Sequence, residues 1–244
     1  MKDLHDDILD DALRHSKKEE KQEIPEAHVS KADMEKSSKA FVIVVIGIIL
    51  VFAIIVGVKY FNKSRPLTID ELHQKNLAGK LKQDEGYVFK GYSFVFANGL
   101  WYTQLQFNNN LIDLPLHFDP KSVENVSVKG AINSSKFNEP DLYITFDPVE
   151  ADAYIALSAA EMSLSLYKAI GRNPIGACTV NETDACGKRP IVTCDDEDKA
   201  VIYLEKGEGP EIEFDNNCIK VKGYGEDLVK ATDRFLYYWY GVLK

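Results

Sequence analysis

Apolar and polar positions alternate along this chain in three regimes. Residues 3–18 read DLHDDILDDALRHSKK, with Leu4, Ile8, Ala12 and Leu13 at helical spacing and Leu9 beside them. Asp3, Asp6, Asp7, Asp10 and Asp11 crowd the start of this stretch, and Arg14, His15, Lys17 and Lys18 its end, which complements a helix dipole. The pattern predicts a short amphipathic helix, marginal alone in water. Residues 19–40 are polar, interrupted by Pro25, and read as a flexible tether.

The second regime is Phe41 to Phe61, where 16 of 21 residues are Val, Ile, Leu or Phe and no charge occurs before Lys59. A helix of that length spans roughly 31 Å at ~1.5 Å per residue, which matches the bilayer's hydrocarbon core. Soluble core helices rarely stay uncharged so long. The 40 polar residues before the run and the Lys59-Tyr60-Phe61-Asn62-Lys63 continuation exclude a cleaved signal peptide. The reading is a signal anchor with one pass, contacting the lipid bilayer through 41–61.

The third regime, from Pro66, mixes both periods. Thr68-Ile69-Asp70-Glu71 fits a capping box, with a short helix ending near Gly79. Tyr92, Phe94 and Phe96, then Trp101, Thr103, Leu105 and Phe107, alternate as strands around the hairpin signal Asn98-Gly99. Leu111–Phe118 is a third strand, Asp119-Pro120 starts a short helix through Val126, and Leu142–Phe146 is a strand. Asp147–Ile170 is a long helix with the apolar stripe Ile155, Ala159, Met162, Leu166 and Ile170. Its Ser158, Glu161, Ser165 and Lys168 form a narrow polar stripe, the usual mark of a solvated edge. Ile191–Cys194, Val201–Glu205, Ile212–Phe214 and Cys218–Lys222 read as strands, and Glu226 opens a last helix. The predicted class is α+β, a mostly antiparallel sheet with helices on one face, preceded by a single transmembrane helix and a flexible tail. The units are 1–40, a tail on the cytoplasmic side; 41–61, the anchor; 62–85, a juxtamembrane helix and linker; and 86–244, an extracytoplasmic domain.

Charge follows this partition. The tail carries a net −3, the apolar run +1 and residues 62–244 −7. An acidic chain of 244 residues supplies no basic field for phosphates, which argues against a nucleic-acid partner. The mean hydropathy of −0.22 is an average over unlike parts.

The four cysteines, Cys178, Cys186, Cys194 and Cys218, all follow the apolar run. They lack the close C-x2–4-C pairs of zinc sites and any C-x-x-C redox motif. An even count fits two disulfides in an oxidising compartment. Of the three connectivities, Cys178–Cys186 with Cys194–Cys218 suits the strand order best. Asn-x-Ser/Thr acceptors occur at Asn62, Asn125, Asn133 and Asn181, again all after the run, with Asn62 too near the bilayer for glycosylation. Flanking charge (Lys31, Lys36 and Lys39 against Lys59, Lys63, Arg65 and Lys75) does not favour an inside N-terminus. Cysteines and acceptors carry the orientation instead: tail cytoplasmic, domain outside.

Catalytic motifs are sparse. There is no HExxH, GxSxG, Walker A or GxGxxG. Asp195-Asp196-Glu197-Asp198 lacks calcium-loop spacing. No cofactor or metal is called for, and no catalytic residue is assigned. Trp101, Tyr102 and His117 mark a binding surface, with core packing the blander alternative. The expectation is a membrane-anchored binder of a partner protein or envelope component. The alternatives are an anchored hydrolase, signalled by a cleft gathering His117, Glu161 and acids of raised pKa, and an accessory subunit packed through Ala53 and Gly57.

Overall fold

The computed structural model describes residues 31–61, 65–107 and 109–244. The helix expected over 3–18 and the acceptor at Asn62 lie outside the described residues. The chain divides after Arg65 into two units, each taken by itself.

In the first unit, helix α1 runs Lys31–Phe61. Helix therefore begins ten residues before the apolar run, which corrects the tether expected there. Ala, Met, Glu and Lys in that stretch are good helix formers, and extending an existing helix avoids the cost of nucleation. Phe41–Lys59 is long and apolar enough to cross a membrane. Its Val, Ile, Leu and Phe side chains are exposed all round, unlike the single buried stripe of a core helix.

The second unit opens with α2, Ile69–Leu77. The Thr68 hydroxyl accepts from the Glu71 N–H at 3.3 Å, and the Glu71 carboxylate accepts from the Thr68 N–H at 2.9 Å. Strands β1 (Gly86–Phe89), β2 (Tyr92–Ala97), β3 (Leu100–Phe107) and β4 (Asn110–Leu116) follow as an antiparallel meander in chain order. Asn98 and Gly99 turn β2 into β3 with φ of 53° and 82°. Helix α2 is bound to this sheet. Asn76 donates to the Tyr87 and Phe94 carbonyls and to the Ser93 hydroxyl, and His73 Nδ1 lies 2.8 Å from the same hydroxyl. The helix in segment 62–85 thus belongs to the domain.

The second sheet contains β5 (Ser127–Lys129), β6 (Asp141–Phe146), β7 (Asn173–Gly176), β8 (Val201–Lys206), β9 (Glu211–Asp215) and β10 (Cys218–Gly223), in the order β5-β9-β10-β8-β6-β7. Only β9–β10 is antiparallel; β5–β9, β10–β8, β8–β6 and β6–β7 are parallel. The α+β class stands, with one antiparallel sheet and one mixed sheet. Helix α3 (Ala153–Ile170) is the crossover between parallel β6 and β7, and α4 (Glu226–Trp239) follows β10. Asp152 caps α3 through the Tyr154 and Ile155 N–H groups.

Two expected elements are absent from their places. Asp119–Val126 is a run of turns, because the Asp119 carboxylate takes the Lys121 and Ser122 N–H groups locally. Ile191 makes a single bridge to Cys178, and the chain turns at once because the Asp196 carboxylate accepts from the Thr193 N–H.

Both helices lie between the sheets. Ile144, Ile202, Leu204, Ile219 and Val221 of the second sheet pack with Ile155, Met162 and Leu166 of α3 and with Leu228 and Phe235 of α4. Phe94 and Leu116 of the first sheet close the same core, the Phe94 ring meeting Tyr237 edge-on at 5.8 Å. Fully burying one such side chain favours folding by roughly 1.5–3 kcal/mol. A smaller cluster, Ala177, Val192, Val201 and Cys218, covers part of the second sheet's other face.

Candidate functional site

The three-layer arrangement decides where the polar stripe of α3 goes. Its apolar stripe is taken by the second sheet, and the first sheet and α4 cover the adjoining face, while Tyr154, Leu164, Tyr167 and Lys168 stay exposed. Ser158, Glu161 and Ser165, expected at a solvated edge, are consequently all buried. Periodicity showed the stripe but not that a second sheet would lie over it.

The stripe meets two other elements. His117, one residue past β4, holds Nδ1 at 3.0 and 3.1 Å from the Glu161 carboxylate oxygens. Asp233 of α4 is wholly buried, and its Oδ2 accepts the Phe118 N–H at 2.7 Å. One turn later, Tyr237 donates its hydroxyl to the Phe118 carbonyl at 2.8 Å. The Phe118 peptide is gripped at both ends by α4.

Electrostatics in this cluster follow from burial. Burial first, then the Glu161 carboxylate, push the Asp233 carboxyl well above its usual range, against the opposing pull of the Phe118 N–H. The neutral form of Asp233 is therefore favoured, with its carboxyl set against that of Glu161. The hydrogen bond to Glu161 raises the His117 imidazole, with burial acting the other way. His73, buried without such a carboxylate contact, is lowered. The His117 side chain is 33% exposed and that of Glu161 only 5%. The cluster is thus a buried pair of acids roofed by one partly exposed histidine. A histidine oriented by a carboxylate is half of a general base; the buried Ser158 hydroxyl, without a partner, lies inside rather than facing a substrate.

No known protein family, curated protein or solved structure matches the chain.

The three residues of the expected binding surface are not brought together. Trp101 lies against Tyr87 and Phe96, with ring centroids 5.5 and 5.2 Å away. Tyr102 is its neighbour on the same strand and points to the opposite face. His117 belongs to the polar cluster. Asn125, Asn133 and Asn181 are exposed. Disulfides join Cys178 to Cys186 and Cys194 to Cys218. Asp196 of the acidic run accepts from the Thr193 N–H and pairs with Lys199 at 2.9 Å, which hold its carboxyl below the ordinary value. Among the described residues, no three His, Cys, Asp or Glu side chains are gathered to hold a metal ion.

Asp233 was missed at the sequence level, although a signal existed. It lies four residues from both Val229 and Tyr237 and three from Leu236, an acid on the apolar face of its helix.

Proposed function

We propose that the chain is a single-pass membrane protein with a cytoplasmic tail and an extracytoplasmic domain that binds a partner protein or envelope component. The observation that carries this reading is the pairing of one fully exposed apolar helix with a following domain held by two disulfides. Such bonds persist in oxidising compartments, and the exposed Asn125, Asn133 and Asn181 agree with that side. A second reading, an anchored hydrolase, is favoured by the His117–Glu161 pair over protonated Asp233. It requires a substrate path, and the two acids beneath His117 are both buried. Protease treatment of sealed right-side-out vesicles tests the first reading. Digestion of the domain with survival of the tail is expected; a protected domain, with cysteines that alkylate without prior reduction, overturns it.

A further inference from the structure

The outward face of the second sheet is a ladder of paired charges. Lys129 meets Glu211 at 2.6 Å, and Lys222 meets Glu213 at 2.9 Å and Glu205 at 3.8 Å. Toward the Cys194–Cys218 bond this changes. A hollow of about 300 Å³ opens there, lined by Thr179, Thr193, Asp195, Tyr203, Glu205 and Lys220. Its walls are fixed by covalent and sheet geometry. The disulfide ties the Thr193–Asp195 turn to the start of β10, and Lys220 and Tyr203 are register partners on β10 and β8. The Thr179 N–H bonds the Phe146 carbonyl at the end of β6.

Most polar groups of the hollow are not used by the protein, Glu205 being engaged only by its long 3.8 Å contact with Lys222. Among the described residues, the Tyr203 and Thr179 hydroxyls, the Lys220 ammonium and the Asp195 carboxylate make no hydrogen bond or ion pair. The Thr193 hydroxyl accepts from the Asp195 N–H at 3.3 Å and still has its proton to give. Burial and the nearby carboxylates raise the Tyr203 phenol, so its ring stays neutral and its O–H remains a donor. One ammonium and two carboxylates leave the hollow net negative, which disfavours an anion. What remains is an aromatic wall facing interspersed donors and acceptors. That set suits a ligand with an apolar C–H face and several hydroxyls, since each hydroxyl donates and accepts at once. A zwitterion would use Lys220 and one carboxylate and leave the threonines and the other acid idle. The volume lies at the small end of ligand sites, roughly 300–1,000 Å³.

We propose that this hollow binds a neutral saccharide, one sugar ring lying on Tyr203 with its hydroxyls shared among Asp195, Glu205, Lys220 and the two threonines. The inference deepens the binding reading above, on which it rests, by naming the chemistry of the envelope component. The full chain in nanodiscs of plain phospholipid is titrated with methyl glycosides of glucose, galactose, mannose and N-acetylglucosamine, read by saturation-transfer NMR. Glycosidic detergents are avoided because their headgroups would compete. Transfer to ring C–H protons of at least one glycoside is expected, abolished by Tyr203→Ala. Asp195→Asn, at an exposed side chain, is expected to weaken binding about tenfold, and Lys129→Ala to leave it unchanged. No transfer from any of the four, transfer indifferent to Asp195→Asn, or preferential transfer to free glycine would overturn the proposal. Vesicle proteolysis reads orientation alone, so the two readings fail separately.

Discussion

Asp233→Asn replaces a buried protonated acid by a neutral group of the same shape. In the folded chain the Asp233 carboxyl is held well above its usual range by burial and by Glu161. In the unfolded chain it titrates near ~3.9. Between these two values the folded state keeps a proton that the unfolded state has released. Stability therefore falls as pH rises through that window, by about 1.4 kcal/mol per pH unit for one proton. Asparagine has no such slope. The variant's advantage over the parent is expected to be near zero at about pH 4 and to grow by up to about 1.4 kcal/mol per unit as pH rises toward the folded value. A constant offset of about 1 kcal/mol from rearranged hydrogen bonds is superimposed. Urea unfolding of the full chain in micelles, followed by tryptophan fluorescence, measures it, because Trp101 and Trp239 both lie in the domain and none lies in the apolar helix. Other titrating groups cancel in the difference, apart from coupling to Glu161 and His117. Asp233→Ala, by contrast, strips the Phe118 N–H of its acceptor and is expected to cost about 1–3 kcal/mol at acid pH. A difference between Asp233→Asn and the parent that stays constant from about pH 4.5 to 7 would show that Asp233 is ionised in the fold, and the reasoning would fail.

Three further outcomes are expected. By NMR the His117 imidazole titrates above its ordinary 6.5 and Glu161→Gln brings it down; its stabilising contribution is complete below about 6.5 and is lost as pH rises through the folded value, so a parent value at or below 6.5 would contradict the pairing. Loop-closure entropy ranks the disulfides: replacing Cys194 and Cys218 by Ser, which opens a separation of 24, costs about 3.4 kcal/mol, against about 2.5 kcal/mol for Cys178 and Cys186, separated by 8, and urea midpoints in the reverse order would refute the ranking. Asn76→Ala leaves the Tyr87 and Phe94 carbonyls without their side-chain donor and is expected to cost about 2–3 kcal/mol, with early amide exchange confined to α2; uniform exchange across the domain would show that α2 is not a separable layer.

Elements governed by local chemistry were legible in the sequence. The capping box at Thr68 and Glu71, the Asn98-Gly99 turn and the apolar helix each depend on residues within a few positions of one another. Strands β1, β5 and β7 passed unnoticed, being three or four residues long, with β7 carrying Pro174. The parallel pairing of β8 with β10 was equally hidden, because β9 intervenes in the chain and pairs on β10's other side. The polar cluster was half visible. Glu161 and His117 stood out as residues, but their meeting depends on a sheet from one part of the chain covering a helix from another. A helical wheel of α3 records which residues share a face and says nothing about what covers that face.

The grip of α4 on the Phe118 peptide also sets a timetable for biogenesis. Asp233 and Tyr237 stand 115 and 119 positions beyond Phe118. At synthesis rates of roughly 5–20 residues per second, the meander sheet emerges on the order of 6–20 s before the last helix that closes its core. During that interval Phe94, Leu114 and Leu116, all sealed in the finished domain, lack part of their final cover. The first sheet therefore spends its early life as an aggregation-prone apolar surface, and a nascent chain arrested before Glu226 would depend on a holdase to stay soluble.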